Sequence, residues 1–498
     1  MKKKNDKFIK NSKKNFYMMS KKEDIGLSVK KSEDMSRWYS EVIKKADLAD
    51  YSAVSGCIVF KPYSYSIWEK IREVVDKKLK QRGIKNVYFP LFIPESLLKK
   101  ESAHIKGFSP EVAWVTHASN TKLEEKLAIR PTSETIMYET VKNWIRSWRD
   151  LPLLLNQWNN VVRWEFKHPI PFLRTREFLW NEGHTFFATK EEAEKECYET
   201  LEMYYEILKN YFALYGVMGR KTEKEKFAGA EYTLSIELYL PNGRAIQGPD
   251  THHDGQNFAK AFKIKFLDKD EKEKYVWQNT WALTTRMIGV VIMIHGDDRG
   301  LILPPKLAPT QVVIIPILFK ESKEKVIKKA VEIKEKLKEF SVKLDAREEY
   351  SAGWKFNEYE LRGVPIRIEI GPKDLKKEQV VLFRRDTLKK EIVKIRDLNK
   401  KIRETLENIH NNLYKRSKKS FEENLVNVKD MHEFKKAVQN KKLVKALFCG
   451  DSKCEEEIQE KTNGATSRNI SFGQKLVTGK CINCDKPAKY VVIFGKAY

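Results

Sequence analysis

Apolar residues recur at helical spacing through residues 64–82, SYSIWEKIREVVDKKLKQR, and the pattern stops at Gly83. This predicts a long amphipathic helix leading into a strand over Val87-Tyr-Phe-Pro-Leu-Phe-Ile-Pro94. From residue 113 to residue 315 the pattern is mostly strand-like and broken by Pro, Gly and Asn, with one amphipathic helix at 190–215. Strands without regularly interposed helices predict an antiparallel α+β core rather than βαβ units. After Leu303-Pro-Pro the texture changes. QVVIIPI reads as a buried strand, KEKVIKKAVEIKEKLKEF as a Lys/Glu-rich helix, and GVPIRIEIG and QVVLFRR as further strands. That alternation predicts a separate α/β domain at 306–405. Residues 396–446 are highly charged and helical in pattern, and a small third α/β domain is expected at 406–498.

A chain of 498 residues with 41% hydrophobic content can build several sizeable cores. The net charge of +26 changes the picture more, because it exceeds what solubility needs and points to a polyanionic partner, nucleic acid before membrane. No apolar run approaches the ~18 residues of a spanning helix, and the N-terminus lacks the apolar core of a secretory signal. A soluble, cytoplasmic protein is the expectation. Residues 1–22 carry nine lysines and one acidic residue, so 1–24 reads as a basic disordered extension ahead of a core domain at 25–305. Nonspecific contact with RNA and a biased extension without function both fit that tail.

Four of the six cysteines lie near the C-terminus, as a C-x4-C pair, Cys449 and Cys454, and a C-x2-C pair, Cys481 and Cys484. Such spacing suits a closed tetrahedral structural zinc; two disulfides or unpaired thiols are the alternatives, and a reducing cytosol weighs against disulfides. Cys57 and Cys197 lack partner spacing and read as buried small residues.

Three arginine-bearing segments sit in strand-like sequence: Arg163-Trp-Glu-Phe, Arg174-Thr-Arg-Glu-Phe and Thr284-Thr-Arg286. Taken singly, each reads as a solvated cross-strand pair. Jointly they suit a site that grips ATP without a glycine-rich loop, since a guanidinium holds phosphate or carboxylate through two hydrogen bonds. With Ile129-Arg-Pro-Thr-Ser-Glu134, Pro171-Phe-Leu-Arg-Thr-Arg-Glu-Phe178, Trp180-Asn-Glu-Gly-His184, Gly107-Phe-Ser-Pro-Glu-Val-Ala-Trp-Val115, Lys226-Phe-Ala-Gly229, Tyr350-Ser-Ala-Gly-Trp-Lys-Phe356 and Phe494-Gly-Lys-Ala-Tyr498, they closely resemble prolyl-tRNA synthetase of the eukaryotic/archaeal-type branch. The likeness runs from about residue 40 to residue 498.

The resemblance implies a class II synthetase fold: an antiparallel sheet core, an α/β anticodon-binding domain, and a small C-terminal zinc-binding α/β domain. It implies a homodimer, because the helix ending near Arg82 and the strand with Pro90 look like motif 1. It implies that L-proline and ATP form prolyl-adenylate and pyrophosphate, and that prolyl passes to the 3′ end of tRNA(Pro). Arg163 would span the α-phosphate and the substrate carboxylate. Arg174, Thr175, Thr284 and Arg286 would contact the nucleotide, Phe108 would line the adenosine side, and Glu165 would fix the adenine or the metal. Gln247 is the candidate for the Mg2+. The proline pocket carries over onto Thr132, Glu134, Trp180, Phe227 and His252, with Arg163 shared: a cationic imino group needs a carboxylate and a puckered apolar ring needs aromatic walls. Lys355, Glu360 and Lys373 resemble anticodon contacts. The terminal Tyr498 matches a family residue whose free carboxylate approaches the active site.

One segment departs from the family pattern. Gln247-Gly-Pro-Asp-Thr-His252 places Asp250 where the family offers ATP a threonine hydroxyl, and Asp254 replaces an apolar residue. A carboxylate at 250 either repels phosphate or faces the metal or the ribose, and it is the sole support for the alternative, a catalytically silent RNA-binding paralogue. The interval between residues 178 and 284 leaves no room for the editing insertion of bacterial-type relatives. A threonine-charging relative would need an active-site zinc, and no core cysteine has partners for one.

Overall fold

The computed structural model describes residues 26–104, 111–165, 168–474 and 477–498. Pro62–Gln81 forms the first long helix, with Pro62 in its first turn, where a missing N–H costs nothing. Gly83, at φ +80°, follows its end. The strand expected over 87–94 is instead two short ones, Lys85–Asn86 and Phe92–Pro94, which join different sheets. Pro90 lies between them and cannot donate to a ladder. The amphipathic helix spans Lys190–Asn210 and opens with a reciprocal cap between Thr189 and Glu192.

A second difference is Arg286–His295, a helix in a stretch read as strand-like. Its sequence, RMIGVVIMIH, is apolar all round and almost wholly buried, and periodicity alone does not separate a buried helix from a buried strand. The helices Glu134–Val141 and Asn257–Phe262 were likewise absent from the expected pattern.

Among the described residues the main sheet has eleven strands, ordered from one edge to the other as 425–427, 443–448, 490–497, 465–471, 217–220, 232–239, 244–255, 277–284, 177–187, 153–162 and 85–86. Its middle is antiparallel; 153–162 pairs with 177–187 over ten residues, and 177–187 with 277–284 over eight. The helices 62–81, 190–210 and 286–295 contribute to one core, in which Trp38, Ile71, Tyr204, Trp281 and Ile292 are almost completely buried. A Cβ on Gly183 would lie 2.1 Å from the Trp281 ring, so glycine there allows sheet and indole to meet. In this core the interval between 187 and 277 is occupied by strands and helices of the same fold, without an inserted domain among the described residues.

Residues 312–394 build a five-stranded mixed sheet ordered 342–344, 312–316, 366–370, 379–384 and 390–394. Helices 323–336, 352–361 and 398–423 accompany it. The last of these is one unbroken helix, Leu398–Glu423, running through the break expected at 405/406. The charged stretch 396–446 also contains strand Leu425–Asn427 and the start of strand Leu443–Phe448.

The C-terminal strands continue the main sheet, an arrangement that the pattern of the chain did not announce. Ile470 and Ser471 pair with Arg220 and Gly219, while Lys496 and Ala497 pair with Arg244 and Ala245. At this seam a Cβ on Gly219 would sit 2.5 Å from the Ile470 carbonyl, so the close backbone approach needs glycine.

Candidate active site

A cavity of about 510 Å3 opens on the sheet, walled by strands 177–187, 232–239, 244–255 and 277–284, by Arg163 and Glu165 just beyond strand 153–162, and by the segments at 131–134, 172–175 and 225–228. It gathers Thr132, Glu134, Arg163, Glu165, Arg174, Thr175, Trp180, Phe227, Gln247, Asp250, His252, Thr284 and Arg286, which lie up to 154 positions apart in sequence (132 to 286). Phe108 falls outside the described residues.

At one end stands a buried acid. Glu134 opens the helix 134–141, is 5% exposed, and accepts a hydrogen bond from the Thr132 hydroxyl. A second acid, Glu182, lies beneath it on the central strand. It accepts from the Ser133 backbone N–H at 3.1 Å and from the Ser133 hydroxyl, from Asn159 at 2.6 Å and from Gln157 at 3.1 Å, and lies 3.3 Å from the His184 ring. Burial alone would raise its pKa, yet the hydrogen bonds and charge of His184, with Ser133 and Asn159, hold it at about 2. Glu182 therefore fixes the loop that presents Thr132 and Glu134. Neither Glu182 nor Ser133 was singled out in the sequence; the run Trp180-Asn-Glu-Gly-His184 contains the signal, because a Glu on a buried central strand requires several donors.

Arg163 lies at the end of strand 153–162, held by the Pro131 carbonyl at 2.9 Å. Its guanidinium lies 5.4 Å from the Trp180 ring and 5.5 Å from the Phe178 ring, an aromatic cradle that orients the fork while leaving donors for an anion. Trp180 is fixed in turn by donation to Asn159 at 2.5 Å. Arg286 begins the buried helix and reaches the Leu173 carbonyl at 3.4 Å; Thr284 accepts from its backbone N–H at 3.1 Å. Burial lowers the pKa of Arg286, against the opposing charge of Asp250. Arg174 donates to the terminal residue Tyr498. Thr175 is buried and Glu165 is exposed at the rim.

Phe227 and His252 form the remaining wall, with ring centroids 4.9 Å apart. The Phe227 N–H donates to the Thr233 hydroxyl at 2.9 Å, and that hydroxyl lies 2.8 Å from His252 Nδ1. The other ring nitrogen, His252 Nε2, lies 3.5 Å from the Asp250 carboxylate. Gln247 donates to the same carboxylate at 2.5 Å. Asp250 thus faces an imidazole and an amide. Asp254 is fully buried, and burial pushes its pKa well above the usual carboxylate range.

The anticodon candidates divide. Lys373 is exposed on the 372–376 turn of helix. Lys355 and Glu360 were expected to present their charges to RNA, and both are buried instead. Lys355 donates to the carbonyls of Asp345 and Arg347 and lies 3.7 Å from the Asp345 carboxylate. Glu360 accepts from Arg367 at 2.7 Å and Arg299 at 2.8 Å. The reason is desolvation: a charge on the inner face of helix 352–361 is stable only when paired.

The Sγ atoms of Cys449, Cys454, Cys481 and Cys484 lie within 4.8 Å of one another. Cys454 to Cys481 is 3.7 Å and Cys449 to Cys484 is 3.6 Å, too long for disulfides. Metal–sulfur bonds of about 2.3 Å in a tetrahedron require sulfurs about 3.8 Å apart, so the cluster fits such an ion.

An antiparallel sheet bearing an acid pocket at one end and converging guanidinium groups at the other defines a class II aminoacyl-tRNA synthetase core. Family profiles agree: the tRNA synthetase class II core domain (G, H, P, S and T) matches residues 114–295, an anticodon binding domain matches 311–405, and the prolyl-tRNA synthetase C-terminal domain matches 431–498. Proline–tRNA ligase of Lachnoclostridium phytofermentans is 50% identical over 94% of this chain and 97% of its own. That of Clostridium botulinum (strain Loch Maree) is 50% identical over the same shares, and proline–tRNA ligase 2 of Bacillus cereus (strain ZK) is 48% identical over 96% of this chain and 100% of its own. The chain belongs to the prolyl-tRNA synthetase family.

Proposed function

We propose that the protein activates L-proline with ATP and transfers the prolyl group to tRNA(Pro). The observation that carries this reading is the placement of Arg163 in the same cavity as the buried Glu134 carboxylate and the arginines at 174 and 286. Glu134 receives the secondary ammonium of proline, and Trp180, Phe227 and His252 enclose its ring. Arg163 holds the substrate carboxylate against the α-phosphate. A carboxylate oxygen forms a bond to the α-phosphorus while the bond from that phosphorus to the bridging oxygen breaks, and pyrophosphate leaves. Charge gathers on the phosphoryl oxygens, where a guanidinium already fixed by Pro131 and two aromatic rings stabilises it without reorganising. The terminal hydroxyl of the tRNA then attacks the prolyl carbonyl and AMP departs. Arg174, Thr175, Thr284 and Arg286 hold the nucleotide, with Glu165 at the rim.

Bound Mg2+ would neutralise charge on the phosphates, and among the cavity-lining side chains of strand 244–255 Gln247 and Asp250 carry the oxygens that would hold it. Zinc is the ion that suits the four thiolates, in a closed structural role. The domain scheme 25–305, 306–405 and 406–498 accommodates the matched segments. In the anticodon-binding domain Lys373 contacts RNA directly, and Lys355 and Glu360 hold the reading surface in shape. The C-terminal domain and the uninterrupted core support the eukaryotic/archaeal-type branch. A homodimer working in the cytoplasm completes the reading; no helix among the described residues is long and apolar enough to cross a membrane.

The test is proline-dependent exchange of pyrophosphate into ATP. Wild type should exchange, and Arg163→Ala should lose about a hundredfold or more in kcat while keeping its fold. Folded, zinc-loaded wild type without exchange would defeat the reading in favour of a silent RNA-binding paralogue, which Asp250 alone recommends.

A further inference from the structure

Four residues of the cavity wall, Glu225, Lys226, Phe227 and Ala228, belong to an irregular segment that links strand 217–220 to strand 232–239. Such a segment has no ladder of its own to hold it. Some of its fixings are local, the N–H groups of Glu225 and Lys226 donating to the Thr222 carbonyl at 3.2 and 3.0 Å and that of Phe227 to Thr233 at 2.9 Å; others come from the C-terminal region. The Thr222 and Ser467 hydroxyls lie 2.9 Å apart, both buried. Lys224 donates to Gln459 at 3.2 Å, and Arg468 approaches Glu225 at 4.0 Å. Arg468 also donates to Glu237 at 3.0 Å, while Lys221 binds the other Glu237 oxygen at 2.5 Å.

Lys221, Glu237 and Arg468 are each at least 94% buried, with relative exposures of 3%, 1% and 6%. Burial would raise the pKa of Glu237; Arg468 and Lys221 together hold it below its ordinary value. A buried ion pair missing one partner is strongly destabilising, so this cluster has effectively one arrangement. Arg468 is central to it, bonded to the sheet at Glu237 and facing the cavity segment at Glu225.

We infer that Arg468 is a positioning residue for the amino-acid pocket: with Ser467 and Gln459 it clamps residues 221–228 from the C-terminal region and so sets the placement of Phe227. The clamp stands on these contacts, and its effect on proline rests on the function proposed above. Because the clamp meets the Phe227 side of the cavity, its loss should act on the amino acid rather than on the nucleotide.

Two full-length variants test this. Arg468→Gln removes the central cation. The double variant Lys224→Ala, Ser467→Ala removes the part-buried tie to Gln459 and the neutral tie to Thr222 and leaves the buried ion cluster whole, so it is expected to fold even where the first does not. Backbone amide exchange over 222–228 should quicken about tenfold in each, and KM for proline should rise about tenfold, the equivalent of one or two lost hydrogen bonds, with kcat and KM for ATP within about twofold of wild type. Arg468→Lys should recover part of the loss. Unchanged amide exchange in both variants, or equal rises in the two KM values, would overturn the clamp. Wild type without proline-dependent exchange would defeat only the proposed substrate, since amide exchange reports on the clamp directly.

Discussion

Glu182, whose carboxylate accepts from Ser133, Gln157 and Asn159, shows how one buried group can govern a pocket. Its low pKa means that the folded state holds fewer protons than the unfolded chain between the ordinary value of 4.5 and about 2. The stability this contributes is present above pH 4.5 and is lost as the pH falls through about 2, on the order of 3 kcal/mol in all. Glu182→Gln should therefore be less stable than wild type at pH 7, with the gap in urea midpoints closing as the pH is lowered; a gap independent of pH would show that the carboxylate charge is not what holds the loop. Beside it, Gly183→Ala would drive a methyl group into the Trp281 ring, at 2.1 Å, and should cost about 3 kcal/mol by chemical denaturation. The arginines were legible because their motifs are long. Glu182 was not, because the donors that make it tolerable come from residues 133, 157, 159 and 184 and meet only in the fold.

Among the elements, amphipathic helices were read well and buried ones poorly. The helices at 62–81 and 190–210 announce themselves by one apolar stripe, with Pro62 opening the first and the Thr189–Glu192 cap the second. Arg286–His295 has no polar face, so its apolar run fits strand or helix equally until neighbours decide. The thiolate cluster follows the same logic in reverse: spacing named the four cysteines, and geometry excluded the disulfides. Cys481→Ser should release the bound metal and lower the melting temperature of the C-terminal region, checked by metal analysis and calorimetry. Unchanged metal content and melting would reject the site.

On the scale of the whole molecule, the continuous sheet makes the C-terminal region part of the catalytic body. Removing residues 425–498 would expose the 217–220 strand as an unpaired edge and leave Glu237 without Arg468. The truncated chain should aggregate or melt early, read by size-exclusion chromatography and thermal unfolding. A stable, active truncation would show the sheet to be divisible at that seam. The basic charge of the chain belongs to this scale as well, because a net charge of +26 acts on a polyanion as a field rather than through any single contact.

The chain's own residues named the candidates: three arginines, an acid, aromatic walls and four cysteines, which the fold gathers into one cavity and one cluster. They stand in local runs, legible without the fold. Only the tertiary structure decided how they are held. The pairing of Ser467 with Thr222, of Arg468 with Glu237, and of Thr233 with His252 joins residues from separate strands and segments, and the burial of Lys355 and Glu360 depends on neighbours that helical period does not name. Such contacts arise when strands add to one sheet and burial forces each charge to find a partner, a requirement that exists only once the chain is folded.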